Sequence, residues 1–403
     1  MAGLSLSLVL VAGLLVWGLL DRRPYEATPP SAPAAQVRPT LAARTLRELE
    51  RAVEDRDAAA ARGLAPTGDD QAAALLAAVV ANARSLRVRD FTLRYVDEEG
   101  ALSPDGSWAA AVDATWGFAG FDPMPARSEV VFRFVDDGDR VALAGVGDDG
   151  DHRAPLWLSA PVQVRRTPAT LVLAAGSSAR ADDHAARAEA AVPVVRRVLP
   201  AWRPRLVVEV PASAAALDRT LAADPGRYAN IAAVTTTVDG SVDPGAPVHV
   251  FVNPDVFDRL EPQGAQVVMS HEAVHVATDA ATSDLPLWLL EGFADYVALR
   301  DVDLPLSTTA AQVIRQVRRD GLPDHLPGPA EFDTSATALG AAYESAWLAC
   351  RLLARTGGER ALVRLYRLVD GGRELAAALR ATFGLTPGRL TRAWRRSLSD
   401  LAA

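Results

Sequence analysis

The sequence predicts an α+β fold whose second half ends almost entirely in helices. Three observations carry this reading. Apolar residues recur at helical intervals early in the chain, alternate with period two between Phe91 and Leu143, and return to helical spacing beyond Ala336. A chain of 403 residues with 49% hydrophobic content can bury more than one core. The stretch Val267 to Tyr296, in the second half, places His271, Glu272, His275 and Glu291 on two helical patterns.

Gly3 to Leu20 contains no charge and no proline, which is long enough for a membrane helix. A cleavable signal peptide is the competing reading. Its apolar core is ordinarily shorter, and the nearest A-x-A pattern, Ala32-Pro33-Ala34, falls well past the run, so residues 1–23 read as a single-pass anchor. No basic residue precedes the span while Arg22 and Arg23 follow it, and charge alone therefore places the bulk of the chain in the cytoplasm. Residues 24–40 hold Pro24, Pro29, Pro30, Pro33 and Pro39 among small residues, the composition of an extended, semi-stiff spacer.

Folding resumes near Thr45, where Thr45 and Glu48 stand at capping-box spacing and Leu46, Leu49 and Val53 follow at helical intervals. A second helix is expected over Ala72 to Leu86. The period then becomes two, with Phe91, Leu93 and Tyr95, then Trp108 to Phe118, then Val130, Phe132 and Phe134. Asp137-Gly138 marks a hairpin before Val141 and Leu143. Two helices leading into a curved antiparallel sheet over 41–160 resembles the NTF2-like cone, in element order alone. That resemblance implies a pocket, which Trp108 and Trp116 would line. Read from the residues themselves, alternating aromatics are plain core. No acid–histidine pair points to chemistry here, and a binding or spacing role is expected.

Residues 161–403 begin a different pattern. Val162-Gln-Val, Leu171-Val-Leu and Leu206 to Val210 read as strands around a helix at Ala185–Leu199, and Ile231–Thr237 and Val248–Val252 follow as strands. His249 reads as a surface or packing residue. Asp320 to Pro329 is a breaker-rich loop in which His325 reads as solvated. Helices are expected over 336–355, 359–369, 374–383 and 387–401, separated by Gly357-Gly358 and Gly371-Gly372.

The chemistry concentrates in His271-Glu-Ala-Val-His275. On a helix over 266–278, His271 and His275 sit one turn apart on the same face and can grip one divalent cation, with Glu272 beside them to take a proton from water. A catalytic zinc usually takes a third protein ligand, and Glu291 supplies a candidate on the next helix. Ser283 and Asp284 are cap-type residues for that helix, and Pro286 suits its first turn. Asp295 follows Glu291 by one helical turn, so one carboxylate can bind metal while the other accepts a hydrogen bond from a ligand imidazole.

HEAVH followed by WLLEGFADY resembles the gluzincin metallopeptidases, sharply over about 30 residues and more loosely over 163–403. The resemblance implies one Zn²⁺ held by His271, His275 and Glu291, Glu272 as general base, and Asp295 as the hydrogen-bond partner of one histidine. The segment ALGAAYESAWLACRLLARTGG resembles the later helix of such domains and implies Tyr343 as a stabiliser of the tetrahedral intermediate. It also implies a peptide or protein substrate, an edge strand at VHVFVNP that pairs with it, and a catalytic part outside the cytoplasm, against the flanking charges. A non-enzymatic anchored binding protein with a structural or decayed zinc site is the alternative.

Composition closes off other classes. A net charge of −8 and a pI near 5.4 argue against nucleic acid, whose phosphates need a basic field. Every one of the 42 basic residues is arginine. A single cysteine, Cys350, excludes an intramolecular disulfide and a cysteine-based zinc cluster, and its apolar neighbours mark a buried thiol.

Overall fold

Proline suits the first turn of a helix because the N–H it lacks would go unpaired there, and Pro39 opens the first helix, α1 (Pro39–Asp55). The computed structural model describes residues 37–147, 152–243, 245–334 and 336–403. The expected anchor at Gly3–Leu20 and residues 24–36 of the expected spacer lie outside the described residues, among which no helix is long and apolar enough to cross a membrane. The last two residues expected in the spacer, Pro39 and Thr40, are already helical.

A short α2 (Ala58–Arg62) and α3 (Asp70–Leu86) follow, capped by the side chains of Asp57 and Asp69. Four strands then form an antiparallel meander, β1 (Val88–Glu99), β2 (Ser107–Phe118), β3 (Ala126–Asp137) and β4 (Arg140–Val146), in sequential order. The β3–β4 turn is centred on Gly138 and Asp139, since Asp137 still pairs with Arg140. Trp108 and Trp116 are buried in the core beneath α1 and α3, as period-two alternation requires. Thr45 caps nothing. It lies inside α1, which Pro39 has already begun, and its buried hydroxyl donates to the carbonyl of Val141 at 2.6 Å.

After α4 (Leu156–Ser159), the second sheet is built from β5 (Val162–Arg166), β6 (Thr170–Ala175), β7 (Leu206–Val210), β8 (Ala233–Thr237) and β9 (Val248–Val252), in the order β5-β6-β7-β9-β8. Strands β6, β7 and β9 are mutually parallel, and β5 and β8 close the two edges antiparallel. VHVFVNP is therefore not an edge. Its strand β9 is paired on both sides, consistent with its nearly continuous burial, while the threonine-rich and half-buried β8 is the edge.

The sheet has two apolar faces. Val172, Ala174, Val208, Val250 and Val252 pack against α5 (Ser178–Val198) and the central helices. Leu171, Leu173, Val207 and Phe251 belong instead to the core under the first sheet, so Val37–Ala403 forms one compact unit. Asn82 stitches the halves: its amide donates to the carbonyls of Trp157 and Ala160, each at 2.8 Å, and accepts from the N–H of Val162 at 3.2 Å.

His249 is a buried packing residue rather than a surface one. It stacks on Phe118, with Nδ1 2.7 Å from Glu209 Oε1 and Nε2 3.0 Å from Asp122 Oδ1. Burial alone would lower its pKa; the two carboxylates outweigh that and raise it to about 9.

Past α6 (Ala214–Leu221) and α7 (Pro254–Phe257), helix α8 (Pro262–Ala277) carries HEAVH and α9 (Leu287–Ala298) carries LWLLEGFADY. The remainder is helical: α10 (Leu306–Thr309), α11 (Ala311–Asp320), α12 (Leu339–Gly357), α13 (Glu359–Asp370), α14 (Leu375–Phe383) and α15 (Pro387–Ala402). Cys350 on α12 is fully buried, which pushes its thiol up and keeps it protonated.

Candidate metal centre

Every residue from Met269 to His275 is buried, so α8 runs through the protein rather than along its surface. Four of these residues are polar: Ser270, His271, Glu272 and His275. Buried polar groups need partners, and a consecutive set on one helix means that the surroundings must supply them.

Helix α9 supplies most. It starts at Leu287 with Pro286 at its cap position and no side-chain cap. Asp284 is exposed and three residues from the first helical position, out of capping reach; Ser283 instead donates to Asp370 at 2.7 Å. Trp288, Leu289, Phe293, Ala294 and Val297 bury one side of α9 in the core. Glu291 and Asp295 lie one turn apart and both reach α8.

The donor atoms converge. His271 Nε2 and His275 Nε2 are 2.9 Å apart, and Glu291 Oε2 lies 3.2 Å from the first and 3.3 Å from the second. Donors held 2.0–2.1 Å from a tetrahedral zinc stand about 3.3 Å from one another. The triangle is thus close to the size such an ion requires. His271 Nδ1 donates to Asp295 Oδ1 at 2.7 Å, which leaves the Nε2 lone pair aimed into the triangle. His275 Nδ1 is buried and has no hydrogen-bond partner among the described residues.

The electrostatics agree with this geometry. Burial alone would lower the pKa of His271, but the Asp295 and Glu291 carboxylates outweigh it and hold the imidazole well above the usual histidine range. Burial would raise Glu291, yet His275 and His271 hold its carboxyl well below the usual range. The raised imidazole and the lowered carboxyl express one attraction, with the carboxylates holding positive charge at His271, and a divalent cation bound here would take the place of that charge. The residues fit that ion.

Glu272 is buried, and its Oε2 accepts a 2.6 Å hydrogen bond from the Thr235 hydroxyl on β8. Tyr343, on α12, places its ring 6.0 Å from that of His271 and 5.1 Å from that of Phe332. Burial first, then the charges of Glu291, Glu272 and Asp295, push its hydroxyl far up, so it remains a donor. Its approach depends on Gly292. A Cβ there would stand 2.3 Å from the carbonyl oxygen of Ala346, so only glycine lets α9 and α12 come this close.

All six sequence-derived residues, His271, Glu272, His275, Glu291, Asp295 and Tyr343, thus lie in one neighbourhood. Thr235, Gly292 and Phe332 were not anticipated. A glycine isolated within a helical pattern was the available signal for Gly292. Thr235 sits in a run of three threonines and Phe332 follows a loop, so neither carries a local signal. His325 is exposed, as expected, and its Nδ1 donates to the backbone carbonyl of Leu326 at 3.0 Å. Glu99, Glu129 and His152 also bring three ligand atoms together, but at a partly exposed surface where such groups are common without an ion.

Comparison of the chain with protein-family models, with curated proteins and with solved structures gives no match, so the functional reading rests on the site's own geometry.

Proposed function

We propose that this protein is a zinc-dependent metallopeptidase of the gluzincin kind. In this reading it is tethered by its N-terminal stretch, with the catalytic part outside the cytoplasm and an NTF2-like region at 41–160 that binds or spaces. The observation that carries the reading is the triangle of His271 Nε2, His275 Nε2 and Glu291 Oε2 beside the buried carboxylate of Glu272. Structural zinc sites close all four positions with protein ligands. Among the described residues only three donors converge here, which favours a catalytic ion over a purely structural one.

A divalent cation held by His271, His275 and Glu291 would acidify water and polarise a carbonyl. The chain's own side chains handle the protons. Glu272 accepts one from the attacking water and delivers it to the leaving amine. Asp295 keeps His271 in the tautomer that presents Nε2. Tyr343 offers its hydroxyl to the carbonyl oxygen as charge develops there. The open edge of β8, one hydrogen bond from Glu272, is where an extended peptide would lie.

The test pairs metal analysis, with and without chelator, with digestion of a peptide library. Glu272→Gln is expected to retain the metal and lose turnover by roughly 10²- to 10⁴-fold. Wild-type-like turnover in that variant would sink the mechanism. Stoichiometric metal without chelator-sensitive cleavage would favour the non-enzymatic alternative.

A further inference from the structure

Glu272 has to hold one carboxylate oxygen toward the reacting water, and a carboxylate on a two-carbon stem does not hold still unaided. Strand alternation shows how the fold answers this. Ala233 on β8 shares a core with α5 and α8, and Val234 packs on the opposite face against the first sheet's core. Thr235, two residues from Ala233, therefore faces α8. Its Oγ1 lies 2.6 Å from Glu272 Oε2 and 3.3 Å from the backbone carbonyl of the same residue.

A threonine hydroxyl carries one proton, and the shorter contact takes it. The other carboxylate oxygen of Glu272 accepts no hydrogen bond among the described residues. One oxygen is thus anchored and the other is left for chemistry. β-Branching restricts χ1, so Thr235 presents the hydroxyl in a fixed direction, which a longer polar side chain would not. Backbone pairing with Val250 of β9 fixes the residue itself.

We infer that Thr235 is a positioning residue, whose hydroxyl holds the Glu272 carboxylate in its working rotamer and ties it to the strand edge beside the site. This rests on the metallopeptidase reading for its catalytic consequence but not for the contact. The variant Thr235→Val keeps the branching and approximate volume and removes only the donor. It is expected to lower kcat about 10- to 100-fold with KM and metal stoichiometry unchanged, as loss of a hydrogen bond to a charged group implies. Thr235→Ser is expected to restore most of the rate. A Thr235→Val enzyme as fast as wild type, or a Thr235→Ser enzyme as slow as Thr235→Val, would overturn the inference.

A second readout needs no turnover. In chelator-treated protein, the unfolding midpoints of Thr235→Val, Glu272→Ala and the double variant form a cycle, and the double variant is expected to lose less than the sum of the singles. Additive shifts would overturn the contact. If the wild type cleaves nothing while the cycle remains non-additive, the hydrolase reading fails and the Thr235–Glu272 coupling stands as structural.

Discussion

At Asp122–His249–Glu209, each imidazole nitrogen faces its own carboxylate; at His271–His275–Glu291, two imidazole nitrogens face each other across 2.9 Å with one carboxylate oxygen beside both. The parts are the same and the burial is similar. What differs is where the lone pairs and protons point. The first arrangement is satisfied by a proton on each nitrogen of His249 and joins the first sheet's end to the second sheet. The second turns three ligand atoms toward one point, where a single cation could meet all of them. Residue type and burial alone therefore do not separate a structural ion pair from a candidate metal site; the direction of the donor atoms does.

The largest effect that separates the two clusters is loss of metal. His275→Ala is expected to reduce bound zinc from about one per chain to none, by elemental analysis, because two remaining donors do not hold the ion. His249→Ala should keep the metal and fail differently. It leaves Asp122 and Glu209 buried without their cation, a loss of about 3–5 kcal/mol in denaturant unfolding. Equal metal content in both variants would erase the distinction.

A smaller effect is the dependence on pH. The folded pKa of His249, about 9, lies above its ordinary value of 6.5. The stability it contributes is complete below pH ~6.5 and is lost as pH rises through about 9, on the order of 3 kcal/mol in all. Unfolding midpoints measured across that window should fall in the wild type and stay flatter in His249→Ala. The proposed metal site is expected to respond in the opposite direction, since protons would displace a cation from His271 and His275 as pH falls. A wild-type stability that does not decline between neutral and alkaline pH would remove the assignment of His249 as a buried cation.

The smallest effect concerns neither cluster's donors. Gly292→Ala would press a methyl group against the Ala346 carbonyl, and overpacking of this kind costs about 1–3 kcal/mol. Because α12 also carries Tyr343, activity should fall while metal content holds. Unchanged thermal stability in Gly292→Ala would mean that the two helices can separate freely, and the argument for a fixed Tyr343 would weaken.

Much of the candidate site was legible because its spacings are local. His271 and His275, like Glu291 and Asp295, stand four residues apart on single helices, and helical geometry alone puts each pair on one face. The strand pattern from Phe91 to Leu143 and the late helices were legible for the same reason. Helix starts were less so: Thr45 and Asp284 are cap-type residues, but Pro39 and Pro286 set where the helices begin. The run VHVFVNP reads as a strand without revealing that it lies inside the sheet, because beyond β8 just before it in the chain it also pairs with the distant β7, Val208 opposite Val250. His249's partners are 40 and 127 residues away, and Thr235 lies 37 residues from Glu272.

The amino-acid order by itself determined the mixed α+β class, the alternation and helical periods, and which side chains share a turn of α8 or α9, since these follow from repeats of 2.0 and 3.6 residues. Only the tertiary structure decided that the two helices bring three donor atoms to one point, that β8 is the open edge and that α12 can approach α9 at Gly292. Those outcomes depend on how distant segments pack, and packing is fixed by volumes and partners that no single stretch of sequence contains.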